Sequence, residues 1–419
     1  MARSKRCERL KIAFIHPSNP FEESTGATYS ANKIAEELSK KGHDLTVYCV
    51  SESEDEGELP YETKNLIKGD KPHRSRTSRL NKEILDRKEE FADFDILYSY
   101  RLDNLLSLGK LGEDISTKIV VTLNSYGGIC PTHTLMYREG HQELGSKKCL
   151  KCIMNQTSEE LRDNGFKQAF QLPKVFTRRL IRLRRIRKSS RFIDNIDRFH
   201  AVSEHVKDSY VEAGFPEDNI KVTPSILDEK FLIEHKSDFE EPYKLLFVGY
   251  LKKHKGAGLL VPIMNELAEK MDKEFKLDIV GSGPLEEKIE RQIQESPVSD
   301  RIELKGRIPN SELPGFYASH DLLVNPVKWE EPWGRVFLES LSAGTPIISN
   351  KIENAKALPG VATTENSPEK FADKLAGILN REELEKLSQE GKENVRKYTA
   401  ENTVATINKS LTELVNNTR

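Results

Sequence analysis

The sequence predicts an α/β protein made of two doubly wound, parallel-sheet domains facing a cleft, with a C-terminal helical tail. Three observations predict it. The chain has 419 residues, more than one ordinary domain holds. Short apolar runs of strand length alternate with stretches of helical spacing, which is the order a parallel sheet requires. The alternation breaks off and restarts in cleaner form near residue 244.

In the first half, LKIAFIH (10–16) reads as a strand, GATYSANKIAEELSKKGHD as a helix and DLTVYCV as the next strand. DFDILYSY, KIVVTLN, RFHAVS and IKVTPS follow as further buried strands, so residues 1–225 are expected to form one domain. Residues 226–243 are charged and irregular and read as a linker. The second domain, 244–400, runs KLLFVGY, a helix through ELAEKM, FKLDIVG, a helix from PLEEKIERQI, RIELKG, DLLVNP, a helix through FLESLSAG, and TPIISN. A polar helix, 401–419, closes the chain.

Composition narrows the function classes. With 65 basic against 67 acidic side chains the net charge is −2, which argues against general nucleic-acid binding. No window approaches the roughly 18 uninterrupted apolar residues of a membrane span. The N-terminal apolar run is too short and too charged for a signal peptide. Five cysteines, at 7, 49, 130, 149 and 152, are few and odd in number, which fits a reducing compartment. The cytoplasm is the expected location, with attachment to the inner face of the cell membrane a further expectation from the basic helix described below.

Open parallel sheets bind ligands beyond the carboxyl ends of their strands, so the loops after LLFVG, LDIVG, IELKG and LLVNP should share one crevice. The most informative stretch there is Trp329-Glu330-Glu331-Pro332-Trp333-Gly334-Arg335-Val336-Phe337-Leu338-Glu339. Gly334 is expected to open a helix, whose exposed amides and dipole suit a diphosphate. Glu331 precedes that helix and could accept hydrogen bonds from sugar hydroxyls, and Glu339, two turns on, could hold a ribose diol. An N-terminal carboxylate and an exposed helix face would give the same pattern without a ligand. Phe247-Val248-Gly249-Tyr250-Leu251-Lys252-Lys253-His254-Lys255-Gly256 follows a strand, and Lys255 could neutralise phosphate or be a solvated surface charge. Ile279-Val280-Gly281-Ser282-Gly283-Pro284 is a glycine turn where backbone can approach a ligand.

Together and in this order, these stretches resemble the retaining GT-B enzymes of glycosyltransferase family 4 (glycosyl transferases group 1), over nearly the whole chain. By that resemblance Glu331 and Glu339 correspond to the family's pair of glutamates separated by seven residues, and Lys255 to its donor-phosphate lysine. Ser24-Thr25-Gly26-Ala27 sits where the family has a glycine pair beside the donor phosphates. The resemblance implies a hexosyltransferase-type reaction, with transfer from a nucleoside diphosphate sugar, retained anomeric configuration and no catalytic metal. Glu331 and Lys255 are then the expected catalytic residues. Gly26, Gly249, Tyr250, Lys255, Gly281, Gly283, Trp333, Gly334, Arg335, Val336 and Glu339 would bind the donor, and His16 and Asn124 would lie on the acceptor side. The acceptor would be a glycan, a lipid-linked sugar or another cell-surface group.

Three positions depart from the family pattern. Tyr250 stands where most members have an arginine, Asn124 where many have a histidine, and Ala27 replaces the second glycine of the pair. They motivate two rival readings, a sugar-nucleotide-binding subunit without turnover and a GT-B sugar-nucleotide epimerase.

Two further groupings stand apart. Cys130 with His133, and Cys149 with Cys152, have the spacing of a closed structural zinc site; they could equally be ordinary thiols, and His141 could replace His133. Residues 178–191, RRLIRLRRIRKSSR, hold eight basic side chains and no acidic one inside an expected helix spanning 174–192. From Arg178 to Arg191 the helix could lie on an anionic membrane surface, or could be solvated against acidic groups elsewhere in the protein.

Overall fold

A computed structural model describes residues 9–21, 26–50, 57–67, 73–135, 147–164 and 172–416. Cys7, Ser24, Thr25 and His141 lie outside the described residues. The chain divides into two compact units: residues 1–226 with 400–419, and residues 227–399.

The first unit carries β1 (Lys11–Ile15), β2 (Asp44–Cys49), β3 (Glu62–Asn65), β4 (Ile96–Ser99), β5 (Lys118–Leu123), β6 (Arg198–Ala201) and β7 (Ile220–Val222). They form one parallel sheet in the order β3-β2-β1-β4-β5-β6-β7. The strand order reverses between β1 and β4, which pair in register with Ile12 opposite Ile96. The strands are apolar because helices cover both faces: Ile12, Phe14, Val47, Ile96, Tyr98 and Val120 are fully buried. The helix Gly26–Lys40 crosses from β1 to β2 and buries Ala31, Ile34, Ala35 and Leu38 at helical spacing.

The helix Ala400–Asn416 belongs to this unit, far in sequence from its partners. Its inward face, Val404, Ile407, Leu411 and Leu414, packs with Ile34 and Leu38. Polar pins add to the packing: His200 and Ser410 are 3.0 Å apart, and His43 and Asn408 are 2.6 Å apart.

The second unit carries β8 (Tyr243–Val248), β9 (Phe275–Val280), β10 (Ile302–Gly306), β11 (Leu322–Asn325), β12 (Ile347–Asn350) and β13 (Val361–Thr364). Their order is β10-β9-β8-β11-β12-β13, again wholly parallel, with the reversal between β8 and β11. Each half is therefore a doubly wound fold with its own crevice at the reversal.

Within 226–243, the segment expected as a linker, two side chains are anchored. Leu227 and Phe231 are buried in the second unit against Tyr317, Leu338 and Tyr398, and the Leu227 amide donates to the Tyr398 carbonyl at 2.8 Å. These two apolar anchors are what the charge pattern hides. Among the described residues no helix is long and apolar enough to cross a membrane.

Candidate active site

The reversal between β8 and β11 brings together the loops that follow these strands. After β8 the chain runs through Gly249 and Tyr250 to a single turn, Lys253–Lys255, and then Gly256. Gly256 has a φ of 77°, and a Cβ there would sit 1.8 Å from the Pro326 carbonyl oxygen. Only glycine lets this turn press against the loop after β11. The Lys328 amide donates to the His254 carbonyl at 2.8 Å, and the His254 ring meets Trp329 edge-on with centroids 5.4 Å apart. Burial, with Lys255 and Lys252 nearby, brings the His254 imidazole down to about 4, so it is neutral at pH 7.

The contact that crosses the reversal is ionic. Lys255 Nζ donates to Glu331 Oε1, and the ammonium also lies 5.7 Å from the centre of the Trp329 ring. Glu331 is 6% exposed. A buried carboxylate needs such a partner, and the Asn354 amide, by donating to the Glu331 carbonyl, fixes the backbone that presents it.

Gly334 is the N-cap of the helix Arg335–Ser342, with no side-chain cap of its own. Glu331 Oε2 lies near it, 3.4 Å from where a Gly334 Cβ would be. One carboxylate, one ammonium and an uncapped helix start therefore share the same spot, a combination suited to phosphate and sugar oxygens. Glu339, 8% exposed, sits two turns along. It accepts from the Tyr317 hydroxyl at 3.1 Å and pairs with Arg335 at 3.3 Å. Burial holds its carboxyl above the ordinary carboxylate range, with Arg335 and Tyr317 pulling the other way.

The glycine turn after β9 packs closely against the loop after β8. Gly281 has a φ of 138°, and a Cβ there would fall 1.9 Å from the Gly249 carbonyl oxygen. At Gly283 a Cβ would stand 2.7 Å from the Leu251 carbonyl oxygen. The close approach is to the loop after β8, which the glycines hold through Leu251 N to Ser282 O at 3.0 Å. Tyr250 is 50% exposed, with the Lys252 ammonium 4.6 Å from its ring centre. A cation thus stands beside Tyr250, where the resemblance leads one to expect an arginine. Trp333, Arg335 and Val336 are each partly exposed around the helix start. Tyr317 and Asn354, which brace the two glutamates, carry no motif in the sequence.

In the first unit, Gly26 opens the helix Gly26–Lys40 at the carboxyl end of β1, and Asn124 is partly exposed just after β5. His16 is fully buried: Nε2 lies 2.7 Å from Asn32 Oδ1, and Nδ1 accepts from the Ser18 amide at 3.2 Å. It braces the loop after β1 and does not face outward. Cys130, Cys149 and Cys152 are buried free thiols. Cys149 packs with Ile153 and Leu183, Cys130 Sγ lies 3.2 Å from the Thr132 hydroxyl, and burial with the other two thiols raises Cys152 to about 12. His133 lies against Gly127 instead. Among the described residues no three His, Cys, Asp or Glu side chains gather to hold a metal ion, so the zinc reading of Cys130, His133, Cys149 and Cys152 finds no support.

Comparison with known proteins agrees with the two doubly wound units. Residues 24–231 match the family model described as Glycosyltransferase Family 4, and residues 228–398 match Glycosyl transferases group 1. An uncharacterized glycosyltransferase of Methanocaldococcus jannaschii is 26% identical over 229 residues, 52% of this chain and 60% of its own length. The 2-deoxystreptamine glucosyltransferase of Streptomyces kanamyceticus is 34% identical over 103 residues, 25% of this chain and 26% of its own. The chain thus spans less than two thirds of the length of either relative. Sucrose-phosphate synthase from Thermosynechococcus elongatus superposes with a TM-score of 0.70 at 18% identity, covering 98% of this chain and all of that one. Anabaena Alr3699/HepE, solved in complex with UDP, gives 0.66 at 15% identity, with 97% and 100% covered. Two family models that between them run from residue 24 to residue 398, over two doubly wound units, identify the chain as a member of the GT-B glycosyltransferases.

Proposed function

We propose that the chain transfers a sugar from a nucleoside diphosphate donor, bound at the carboxyl end of the second sheet, with retention of anomeric configuration. The observation that carries this reading is the Lys255–Glu331 pair at the β8/β11 reversal, with the buried Glu339 two turns beyond. Glu339 meets the ribose diol, and the amides beside Gly334 meet the diphosphate. Lys255 and those amides stabilise the charge that develops on the departing diphosphate, and Glu331 orients the sugar. Arg335 and Lys252 supply the cationic charge absent at Tyr250. The UDP held by the Anabaena neighbour supports a nucleotide donor.

The acceptor is a glycan, lipid-linked or other cell-surface group carried by the first unit. The helix Leu172–Ser189 supports a membrane setting on the cytoplasmic side: Lys174, Arg178, Arg184, Arg187 and Lys188 are exposed, and so is Ile181 among them. Leu150 and Met154 are exposed on the neighbouring helix Lys147–Asn164. Basic residues around apolar ones suit an anionic bilayer.

Incubation with UDP-, GDP- and ADP-sugars, read by NMR at the anomeric proton, tests the reaction. One donor should be consumed slowly by water, releasing sugar in the donor's own anomeric configuration first. Consumption that instead isomerises the sugar on the nucleotide would establish the epimerase reading.

A further inference from the structure

The first unit has its own reversal, between β1 and β4, and a cation crosses it as Lys255 does in the second. Arg101, just beyond β4, donates from Nη1 to the Pro17 carbonyl just beyond β1. Its Nη2 lies 3.1 Å from Asp103 Oδ2. Ligands of doubly wound sheets bind at this place.

The basic helix reaches the same carboxylate from its inward side. Arg185 Nη1 is 3.5 Å from Asp103 Oδ1, with its side chain only 24% exposed. Arg182 is held below the ordinary guanidinium range by burial and by Arg185, Arg179 and Arg178, with Asp103 pulling the other way. An arginine stays charged regardless, and three further guanidinium groups, Arg178, Arg179 and Arg185, stand close enough to act on it. Arg185 is half-buried on this side, while Arg182 is exposed beside it. Asp103 thus takes Arg101 on one oxygen and Arg185 on the other.

Burial and Arg182 bring His133 down to about 4, against the pull of Asp103. Its ring lies against Gly127, close after Asn124. Asn104, beside Asp103, is fully buried with neither amide atom hydrogen-bonded among the described residues. Groups left this way call for a water or ligand partner.

We propose that the loops after β1 and β4 bind a phosphate group of the acceptor, anchored by Arg101, Arg182 and Arg185. This rests on the reading that the first unit carries the acceptor. Guanidinium forks match phosphate oxygens in pairs, and the phosphate displaces Asp103 from them.

Calorimetric titration of inorganic pyrophosphate into the full chain tests this, with Lys255→Ala and Arg182→Gln/Arg185→Gln alongside. Wild type should show two sites, and Lys255→Ala should keep the first-unit site. The double arginine variant should bind there about tenfold more weakly or not at all, while still responding to the donor nucleotide. Asp103→Asn removes the competing carboxylate and should tighten the same site, which a merely structural arginine cluster would not do. Pyrophosphate binding identical in wild type and the double variant overturns the proposal, as does unchanged or weaker binding in Asp103→Asn. If only the donor assignment is wrong, Lys255→Ala matches wild type while the arginine variant still differs. Phosphatidylcholine vesicles with and without a polyprenyl diphosphate separate the sources. Retention by doped vesicles alone marks a lipid-borne phosphate, and binding of soluble pyrophosphate alone marks a soluble phosphate ester.

Discussion

Lys255 and Glu331 show how much of the site one residue pair can carry. The sequence offered Lys255 as either a phosphate cation or a solvated charge, and the structure pairs it with a carboxylate that is 6% exposed. Nothing in the KKHK run distinguishes those outcomes, because the partner lies 76 residues away. The glycines are a similar case. Gly281 was legible as a special position, but its reason, the Gly249 carbonyl, depends on which loops the sheet order makes neighbours. At Gly256 a side chain meets both a left-handed backbone and the Pro326 carbonyl. Gly256→Ala should therefore lose about 1–3 kcal/mol from backbone strain alone, measured by urea unfolding, and nucleotide affinity should fall with it. Stability within a few tenths of wild type would show that the two loops are not held as described.

At the scale of elements, long periodic segments were legible and short polar edges were not. The helix Gly26–Lys40 and strands β8 and β9 follow from apolar spacing, whereas β3 (ETKN) and β13 (VATT) are edge strands too short and polar to stand out. The helix Arg335–Ser342 was readable from its stripe, yet the Tyr317 that braces it was not. Burial of Glu339 makes a prediction here. Since its carboxyl is held above the ordinary range, the neutral isostere should suit the folded state better at pH 7. Glu339→Gln should raise the melting temperature by roughly 1–3 °C while weakening nucleotide binding; a lower melting temperature with unchanged binding would contradict this role. The outward face of Leu172–Ser189 predicts sedimentation with phosphatidylglycerol vesicles but not with phosphatidylcholine. Arg178→Glu with Ile181→Asp should reduce that binding about tenfold or more, given ~1 kcal/mol per basic side chain.

Over the whole molecule, the restart of the pattern near residue 244 made the second sheet legible, while the placement of residues 227–243 and of the helix Ala400–Asn416 depended on contacts distant in sequence. Three histidines spread over both units are neutral: burial brings the half-buried His133 and His254 down to about 4 and the fully buried His200 to about 3, from an ordinary 6.5. Each binds its proton in the unfolded chain first, so the stability they confer is complete above about pH 6.5 and is lost as the pH falls toward 4. Unfolding between those values should take up as many as three protons, measurable as the pH dependence of the denaturation midpoint. A midpoint that is flat over this window would mean these imidazoles are not buried as described. The central claim is a nucleotide donor site in the second unit, and calorimetric titration of UDP, GDP and ADP into wild type, Glu339→Ala and Lys255→Ala tests it most directly. One nucleotide should bind wild type, and each substitution should weaken it by about tenfold or more. Folded wild type that binds none of the three, or variants that bind as wild type does, would contradict the account.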